Sequence, residues 1–193
     1  MIIINFHSNN EQTIGENGEK LIHKIRQSYY NSNILIAPNL IDIKDFINKF
    51  KMPTIAQNIS YSHSHESTGH ISAKALSKIG AIGAILNSPE NRIGTNTSYD
   101  IIKECKEHGI LSFHYSYNIE DLSKSVALGA DYQIFKPSNI KDIINKIFNF
   151  DNVLMDIKSS DMLHIGSLIG RIKGFVIPPD INLLNLINKN YAQ

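Results

Sequence analysis

Short apolar segments rich in isoleucine alternate along this chain with longer segments in which apolar residues recur every three or four positions. The first pattern is typical of strands buried on both faces, and the second is typical of amphipathic helices. A strand, a returning helix and a further strand make a parallel pair, so the alternation predicts a parallel sheet covered by helices. The predicted strands are residues 2–6, 34–38, 54–57, 82–86, 110–115, 132–136, 153–156 and 173–177. The predicted helices are residues 19–26, 42–50, 72–79, 99–108, 121–128, 140–148, 161–169 and 181–187.

Eight such units in 193 residues predict a (β/α)8 barrel with minimal loops, because barrels of this kind usually need about 250 residues and at least about 200. Glycine follows four of the predicted helices, where a left-handed residue ends a helix: Gly80, Gly109, Gly129 and Gly170. Four residues of the types that cap helix N-termini stand near predicted helix starts: Asp42, Ser72, Asp121 and Asp161. No linker or repeat divides the chain, so we expect one domain, residues 1–193.

The charge, the cysteine content and the apolar segments predict which partners and which compartment this chain has. The 19 basic and 18 acidic residues give a net charge of +1, which predicts no nucleic-acid partner because no basic surface is available for phosphates. A single cysteine, Cys105, forms no internal disulfide, and this predicts a cytoplasmic protein. The apolar residues 1–4 are too few for a signal peptide, and no segment approaches the 18 or so apolar residues of a membrane span. We therefore expect no membrane association.

Polar residues follow several predicted strands, at the edge where barrels of this type carry their active sites. Five segments resemble the triosephosphate isomerase family, especially its short archaeal form: Ile4-Asn5-Phe6, Ala37-Pro38, Ala56-Gln57-Asn58, Thr68-Gly69-His70-Ile71-Ser72 and Leu86-Asn87-Ser88-Pro89-Glu90-Asn91-Arg92. The resemblance runs almost without a gap from residue 3 to about Pro137 and more loosely beyond it. It implies an α/β fold, a minimal TIM (β/α)8 barrel, and no cofactor.

The resemblance also shows where this chain departs from the family. His7 stands where the family has a catalytic lysine, Ser88 where it has a catalytic histidine, and Lys136 where it has the glutamate that serves as general base. Other positions match residues that the family keeps around the site or at its subunit interface: Asn5, Gln57, Thr68, Gly69, Glu90 and Arg92. We therefore expect none of the three catalytic groups to be intact.

The family's reaction moves a proton between two carbons of a triose phosphate, with a carboxylate base, a neutral imidazole and a cation. The family's loop after strand six is a lid, but here Lys136-Pro137 leads within a few residues into a helix-like segment. The loop after strand seven carries Asp156 where the resemblance implies glycine, and Pro178-Pro179 follow strand eight. Since proline has no N–H and a carboxylate repels anions, we expect shortened loops after strands six and seven and weak phosphate binding there.

These replacements predict a triosephosphate isomerase-like protein that is catalytically inactive, a pseudoenzyme with a structural or regulatory role. The enzyme alternative is an active isomerase, or a Schiff-base lyase-type enzyme with altered chemistry around His7, Ser88, Glu90 and Lys136. Lys136 suits the second form, because an amine at the end of strand six resembles the Schiff-base lysine of class I aldolase barrels. The sequence leaves these alternatives open.

Residues 59–69 form the one long irregular segment, and their number matches the family's third loop, which docks into a neighbouring subunit. We expect a dimer or tetramer, or a hetero-oligomer with an active isomerase, with this loop at the interface. Its predicted interface residues are an aromatic anchor, a polar rim and a turn: Tyr61, His63, His65, Thr68 and Gly69. His63 and His65, with Glu66, are also ligand types for zinc or nickel, but serine-rich surface loops commonly carry histidine, so no metal is predicted.

Overall fold

The computed structural model describes residues 1–7, 11–28, 33–61, 68–141, 146–147 and 150–191. Eight parallel strands lie in one sheet, in the order β2-β1-β8-β7-β6-β5-β4-β3. The strands are β1 (Ile2–Asn5), β2 (Ile34–Ala37), β3 (Ile55–Ala56), β4 (Gly83–Leu86), β5 (Leu111–Ser116), β6 (Tyr132–Phe135), β7 (Val153–Asp156) and β8 (Gly174–Ile177). The two end strands, β2 and β3, meet at a single bridge between Ile36 and Thr54. The sheet is therefore a nearly closed barrel, which confirms the predicted fold class.

Helices follow the strands on the outside of the barrel. The α-helices of the described ranges are α1 (Gly15–Ser28), α2 (Ile43–Phe50), α3 (Ala73–Ile79), α4 (Thr95–Glu107), α5 (Ile119–Ala127), α6 (Ile165–Leu168) and α7 (Ile181–Tyr191). Two 3-10 helices, Glu11–Thr13 and Ser159–His164, precede α1 and α6. None of the helices in the described part of the chain is long and apolar enough to cross a membrane.

Strand residues alternate between two cores because successive side chains of a strand point to opposite faces. In β1, Ile3 packs inside the barrel, whereas Ile2 and Ile4 pack outward beneath the helices. The inner core includes Phe113, whose ring stacks on Tyr132 with centroids 5.1 Å apart. This filling needs glycine at position 83, where an added Cβ would lie 2.7 Å from the Leu111 carbonyl oxygen. The barrel is thus packed below its mouth.

Most predicted element ends lie within one or two residues of the observed ones. The exceptions are α1 and α4, which begin four residues before the predicted residues 19 and 99, and α7, which ends four residues after the predicted residue 187. The strand expected at residues 54–57 is only Ile55–Ala56. The helix expected at residues 161–169 is divided between a 3-10 helix, Ser159–His164, and the short helix α6, Ile165–Leu168, and the Asp161 carboxylate accepts the Lys158 amide at 2.8 Å at the start of the first. The helix expected at residues 140–148 lies mainly outside the described residues.

The predicted C-terminal glycines agree with the structure more closely than the predicted N-cap residues do. All four glycines have the expected positive φ, between 68° and 92°. Ser72 caps α3, but Asp121 does not cap α5, since the Asn118 side chain accepts the Asp121 amide at 2.8 Å. Asp42 precedes α2 without a side-chain cap bond, and its carboxylate accepts the Gly15 amide instead. Short polar side chains find local partners that spacing alone does not predict.

Ser72→Ala is expected to lower the free energy of unfolding by about 1 kcal/mol, the usual effect of removing an N-cap. The reason is that the Ser72 hydroxyl accepts the Ala75 amide at 3.2 Å, which otherwise has no acceptor in the helix. Urea unfolding measures the change. Lys74→Ala, on the exposed side of the same helix, is the control and should stay within about 0.5 kcal/mol. Equal changes in both variants would contradict the assignment of the cap.

Candidate functional site

The mouth of the barrel is built from inward-facing residues at the carboxyl ends of the strands. Ile134 and Leu154 point inside the barrel, so Lys136 and Asp156, two residues later, point the same way. Phe135 pairs with Met155 in the β6–β7 register, which places Lys136 and Asp156 side by side. A cavity of about 440 Å³ opens here and is lined by Asn5, His7, Leu40, Gln57, Asn58, Ile85, Ser88, Pro89, Glu90, Asn91, Tyr115 and Lys136.

Lys136, Asp156 and Tyr115 form a linked polar group, which we call the mouth network. The Lys136 Nζ lies 2.9 Å from Asp156 Oδ2, and the Tyr115 hydroxyl donates to the same oxygen at 3.0 Å. The Asp156 side chain is 12% exposed and that of Lys136 is 34% exposed. One carboxylate oxygen therefore binds both an ammonium group and a phenol at the edge of the inner core.

Tyr115 is a hydrogen-bond donor at neutral pH. Its burial raises the pKa of the phenol well above its ordinary value, and the nearby negative charge of Asp156 raises it further. A neutral phenol supplies one O–H donor, which Asp156 accepts. The Asp156 carboxylate that pairs with Lys136 thus also accepts a hydrogen bond from the neutral Tyr115 phenol.

Gln57 links strands at the place where the barrel has the least backbone pairing, between β2 and β3. Its amide nitrogen donates to Asn5 Oδ1 at 3.0 Å and to the Ala37 carbonyl oxygen at 3.0 Å, and it also contacts the Phe6 carbonyl oxygen. These partners belong to β1, β2 and the residue after β1, whereas Gln57 follows β3. Because β2 and β3 share only one bridge, Gln57 closes the mouth where backbone pairing is sparse. The Gln57 side chain thus links the ends of β1 and β2 to the residue after β3.

The segment between β4 and α4 is held by Asn87, which has a positive φ of 57°. Its side chain donates to the Tyr115 carbonyl oxygen at 2.9 Å and accepts the Ile93 amide at 3.1 Å. The Tyr117 hydroxyl donates to the Asn87 carbonyl oxygen at 2.6 Å. The guanidinium of Arg92 lies 3.1 Å from the centre of the Tyr117 ring, a cation–π contact. These bonds fix where Ser88 and Glu90 stand.

The structure brings the sequence-predicted site residues to one cavity. His7 is exposed, Ser88 is half-buried and Glu90 is exposed, and all three line the mouth with Asn5 and Lys136. Their roles stay predictions, since proximity alone assigns no chemistry. Sequence reasoning missed the partnership of Tyr115 and Asp156 with Lys136. The available signal was the alternation along β5, β6 and β7, which places all three side chains inward.

The predicted interface loop is described only at its ends. Tyr61 is half-buried and packs against the apolar cluster that contains Ile59, while Thr68 and Gly69 are exposed. The base of the loop is closed by the Ser60 amide, which donates to the Ile71 carbonyl oxygen at 2.9 Å. His63 and His65, like Glu66, lie outside the described residues. In the part of the chain that is described, no group of three histidine, cysteine or acidic residues has metal-binding geometry.

Comparisons with known proteins agree on one family. The sequence model of triosephosphate isomerase matches residues 1–111, which is more than half of the chain. Among curated relatives, the triosephosphate isomerases of Methanothermus fervidus and Methanocaldococcus jannaschii are each 28% identical over 142 residues. Each of these matches covers 72% of this chain and 64% of the relative, so the match spans less than two thirds of the relatives' length.

A solved structure supports the same fold across the whole chain. The crystal structure of triosephosphate isomerase from Bartonella henselae superposes with a TM-score of 0.77 at 15% identity. It covers 100% of this chain, which in turn covers 98% of that structure. The chain belongs to the triosephosphate isomerase family, as the barrel topology, the match over residues 1–111 and the archaeal relatives together show.

Proposed function

We propose that this member of the family does not isomerise triose phosphates and serves instead as a structural or regulatory partner. The observation that carries the proposal is the 2.9 Å ion pair of Lys136 with Asp156, at the position where the family resemblance implies a free general base. An ammonium group has no lone pair with which to remove a proton from carbon. The charge at this position is the reverse of the one that the reaction needs.

The nearby carboxylate does not replace the missing base. Asp156 Oδ2 already accepts the Lys136 ammonium and the Tyr115 hydroxyl, so this oxygen is occupied by two donors. His7 and Ser88, at the positions of the other two catalytic groups, are a histidine in place of a lysine and a hydroxyl in place of an imidazole. All three roles are thus altered together.

The enzyme alternative has one observation in its favour, since His7, Ser88, Glu90 and Lys136 line a single cavity. A Schiff-base reaction would need Lys136 as a neutral amine that attacks a carbonyl carbon. In this structure Lys136 Nζ lies 2.9 Å from the Asp156 carboxylate. Borohydride reduction in the presence of a triose phosphate distinguishes the two functions. A reduced adduct on Lys136, located by mass spectrometry, would favour the enzyme, and an unmodified lysine favours the partner role.

The partner role is expected to use the loop of residues 59–69. Light scattering at micromolar concentration should give a mass of two chains or more, or a mixed species when an active family member is added. Deleting residues 62–67 should reduce the mass to one chain, because the half-buried Tyr61 and exposed Thr68 would lose the segment between them.

Leu163 offers a matched control, since it is an apolar side chain that is 91% exposed on the 3-10 helix Ser159–His164. Leu163→Ser should leave the mass unchanged. A single-chain mass for the unaltered protein, alone and with the active relative, contradicts the partner role. A mass that falls with Leu163→Ser but not with the loop deletion contradicts the assignment of the interface.

A further inference from the structure

The start of helix α7 is closed by Asp180, which stands between β8 and that helix. Its Oδ1 accepts the backbone amides of Asn182 at 2.8 Å and Leu183 at 3.2 Å. Its Oδ2 accepts the hydroxyl of Ser159, the first residue of the 3-10 helix that follows β7, at 2.6 Å. One carboxylate therefore takes up two amides of α7 and a hydroxyl group from the neighbouring connection.

Donors at these places bind phosphate in many barrels of this kind. The phosphate is held by the loops after strands seven and eight and by the N-terminus of a nearby helix, because the first amides of a helix have no acceptor within it and carry a partial positive charge. In this chain those strands are β7 and β8, and α7 begins after β8. The donors are thus present, but each one already donates to Asp180.

The weak phosphate binding that the sequence predicts here therefore has an additional cause. Pro178 and Pro179 lack N–H groups, but the amides that follow them in the first turn of α7 are occupied rather than missing. The Ser159 hydrogen bond lowers the pKa of the Asp180 carboxyl, burial opposes this effect, and the two amide bonds lower the pKa further. Asp180 is consequently a carboxylate at neutral pH.

The charges beside this site do not favour an anion either. A cavity of about 310 Å³ opens between the ends of β6 and β7, and Lys158, the neighbour of Ser159, lines it. Its described lining has two lysines, Lys136 and Lys158, and two carboxylates, Asp156 and Asp161. The lysine and carboxylate charges are thus equal in number, and an incoming phosphate meets no excess of positive charge from them.

We propose that Asp180 is a specificity-determining residue, a built-in anion that fills the donors after β7 and β8 and so excludes phosphate groups from this end of the barrel. The proposal deepens the proposed function and rests on it, since a chain that isomerised triose phosphates would have to bind their phosphate group. Its test measures binding and not turnover, so the two proposals fail separately.

Calorimetric titration with inorganic phosphate and with methyl phosphate, at fixed ionic strength, compares the unaltered protein with Asp180→Gly. Glycine is tolerated at an N-cap, and the change frees two amides and one hydroxyl group. We expect Asp180→Gly to bind both anions at least about tenfold more tightly than the unaltered protein, the effect of gaining one charge-assisted hydrogen bond. Asp151→Gly removes the same charge from an exposed turn before β7 and should leave binding unchanged.

Three further variants locate the bound anion and separate its binding from folding defects. Ser159→Ala in the Asp180→Gly background should weaken binding about tenfold, and the amide resonances of Asn182 and Leu183 should shift as phosphate is added to Asp180→Gly. Asp180→Asn keeps an oxygen that accepts the two amides, so it should bind phosphate no better than the unaltered protein. Asp180→Ser keeps a favoured N-cap residue and replaces the glycine variant if that variant loses its helical circular dichroism.

Three results would overturn the proposal. The first is phosphate binding by the unaltered protein that is as tight as binding by Asp180→Gly. The second is a folded Asp180→Gly or Asp180→Ser that gains no binding. The third is an equal gain in Asp180→Asn, because the negative charge alone would then exclude phosphate, whether or not the donors are filled. The coupled isomerase assay reports on the proposed function instead, since a chain that binds phosphate and one that does not can both be inactive.

Discussion

The purified protein, prepared from a host that lacks its own isomerase, should convert a triose phosphate with a kcat below about 1 s⁻¹, the lower end of the range for enzymes. Loss of a general acid or base typically reduces a rate by about 10²–10⁴-fold. Here the positions that the resemblance assigns to catalysis carry His7, Ser88 and Lys136. Because all three catalytic groups of the family are replaced, we expect the rate of isomerisation to show the largest effect. A coupled assay measures the rate.

Restoring one group should not restore the reaction. Lys136→Glu places a carboxylate at the base position, but it also places that carboxylate beside Asp156, which then loses its cation. His7 and Ser88 still lack the cation and the imidazole of the family's site. The isomerase of Methanothermus fervidus serves as the positive control for the assay. A kcat above about 1 s⁻¹ for the unaltered chain, removed by Lys136→Gln, contradicts the account.

Lys136→Met is expected to lower the free energy of unfolding by about 2–4 kcal/mol, because it leaves the Asp156 carboxylate without a cation. Breaking a fully buried pair typically costs about 3–5 kcal/mol, and the 34% exposure of Lys136 reduces the effect through solvent screening. Tyr115 continues to donate to Asp156 in the variant, which prevents the full loss. Urea unfolding with a common m-value gives the difference.

Lys103 provides a control, because it distinguishes loss of the Lys136–Asp156 ion pair from loss of a surface lysine charge in general. Lys103 pairs with Glu107 at 3.9 Å on α4, and both side chains are largely exposed. Lys103→Met should change stability by less than about 0.5 kcal/mol. The double variant Lys136→Met with Asp156→Asn removes both charges, keeps an amide oxygen that can accept the Tyr115 hydroxyl, and should recover part of the loss. If Lys136→Met and Lys103→Met have equal small effects, the mouth network contributes no stability.

The repeating units of this barrel were predictable from the sequence because they depend on local signals. Short isoleucine-rich segments such as residues 2–4 lie in strands, and glycines such as Gly80 adopt the left-handed conformation that ends a helix. The helix expected at residues 161–169 is present but divided into the 3-10 helix Ser159–His164 and α6, Ile165–Leu168, and the apolar spacing did not predict this division.

The contacts of the candidate site were harder to predict, because they depend on which strands are neighbours and in what register. The sequence places Lys136 and Asp156 at strand ends, but their 2.9 Å contact follows from the pairing of Phe135 with Met155. Gln57 illustrates the same limit. Its bonds to Asn5 and Ala37 lie where β2 and β3 share only one bridge, and the sequence does not show that these strands barely pair.

If this chain is not an isomerase, no group at the barrel mouth removes a proton from the carbon next to a carbonyl. Proton NMR of the ketone form of triose phosphate in heavy water, with the protein added at substrate concentration, tests this step directly. Exchange of the carbon-bound hydrogen reports proton removal even when no product leaves the site. We predict exchange at the rate of buffer alone. Faster exchange that depends on the protein and disappears in Lys136→Gln or Glu90→Gln would contradict the account.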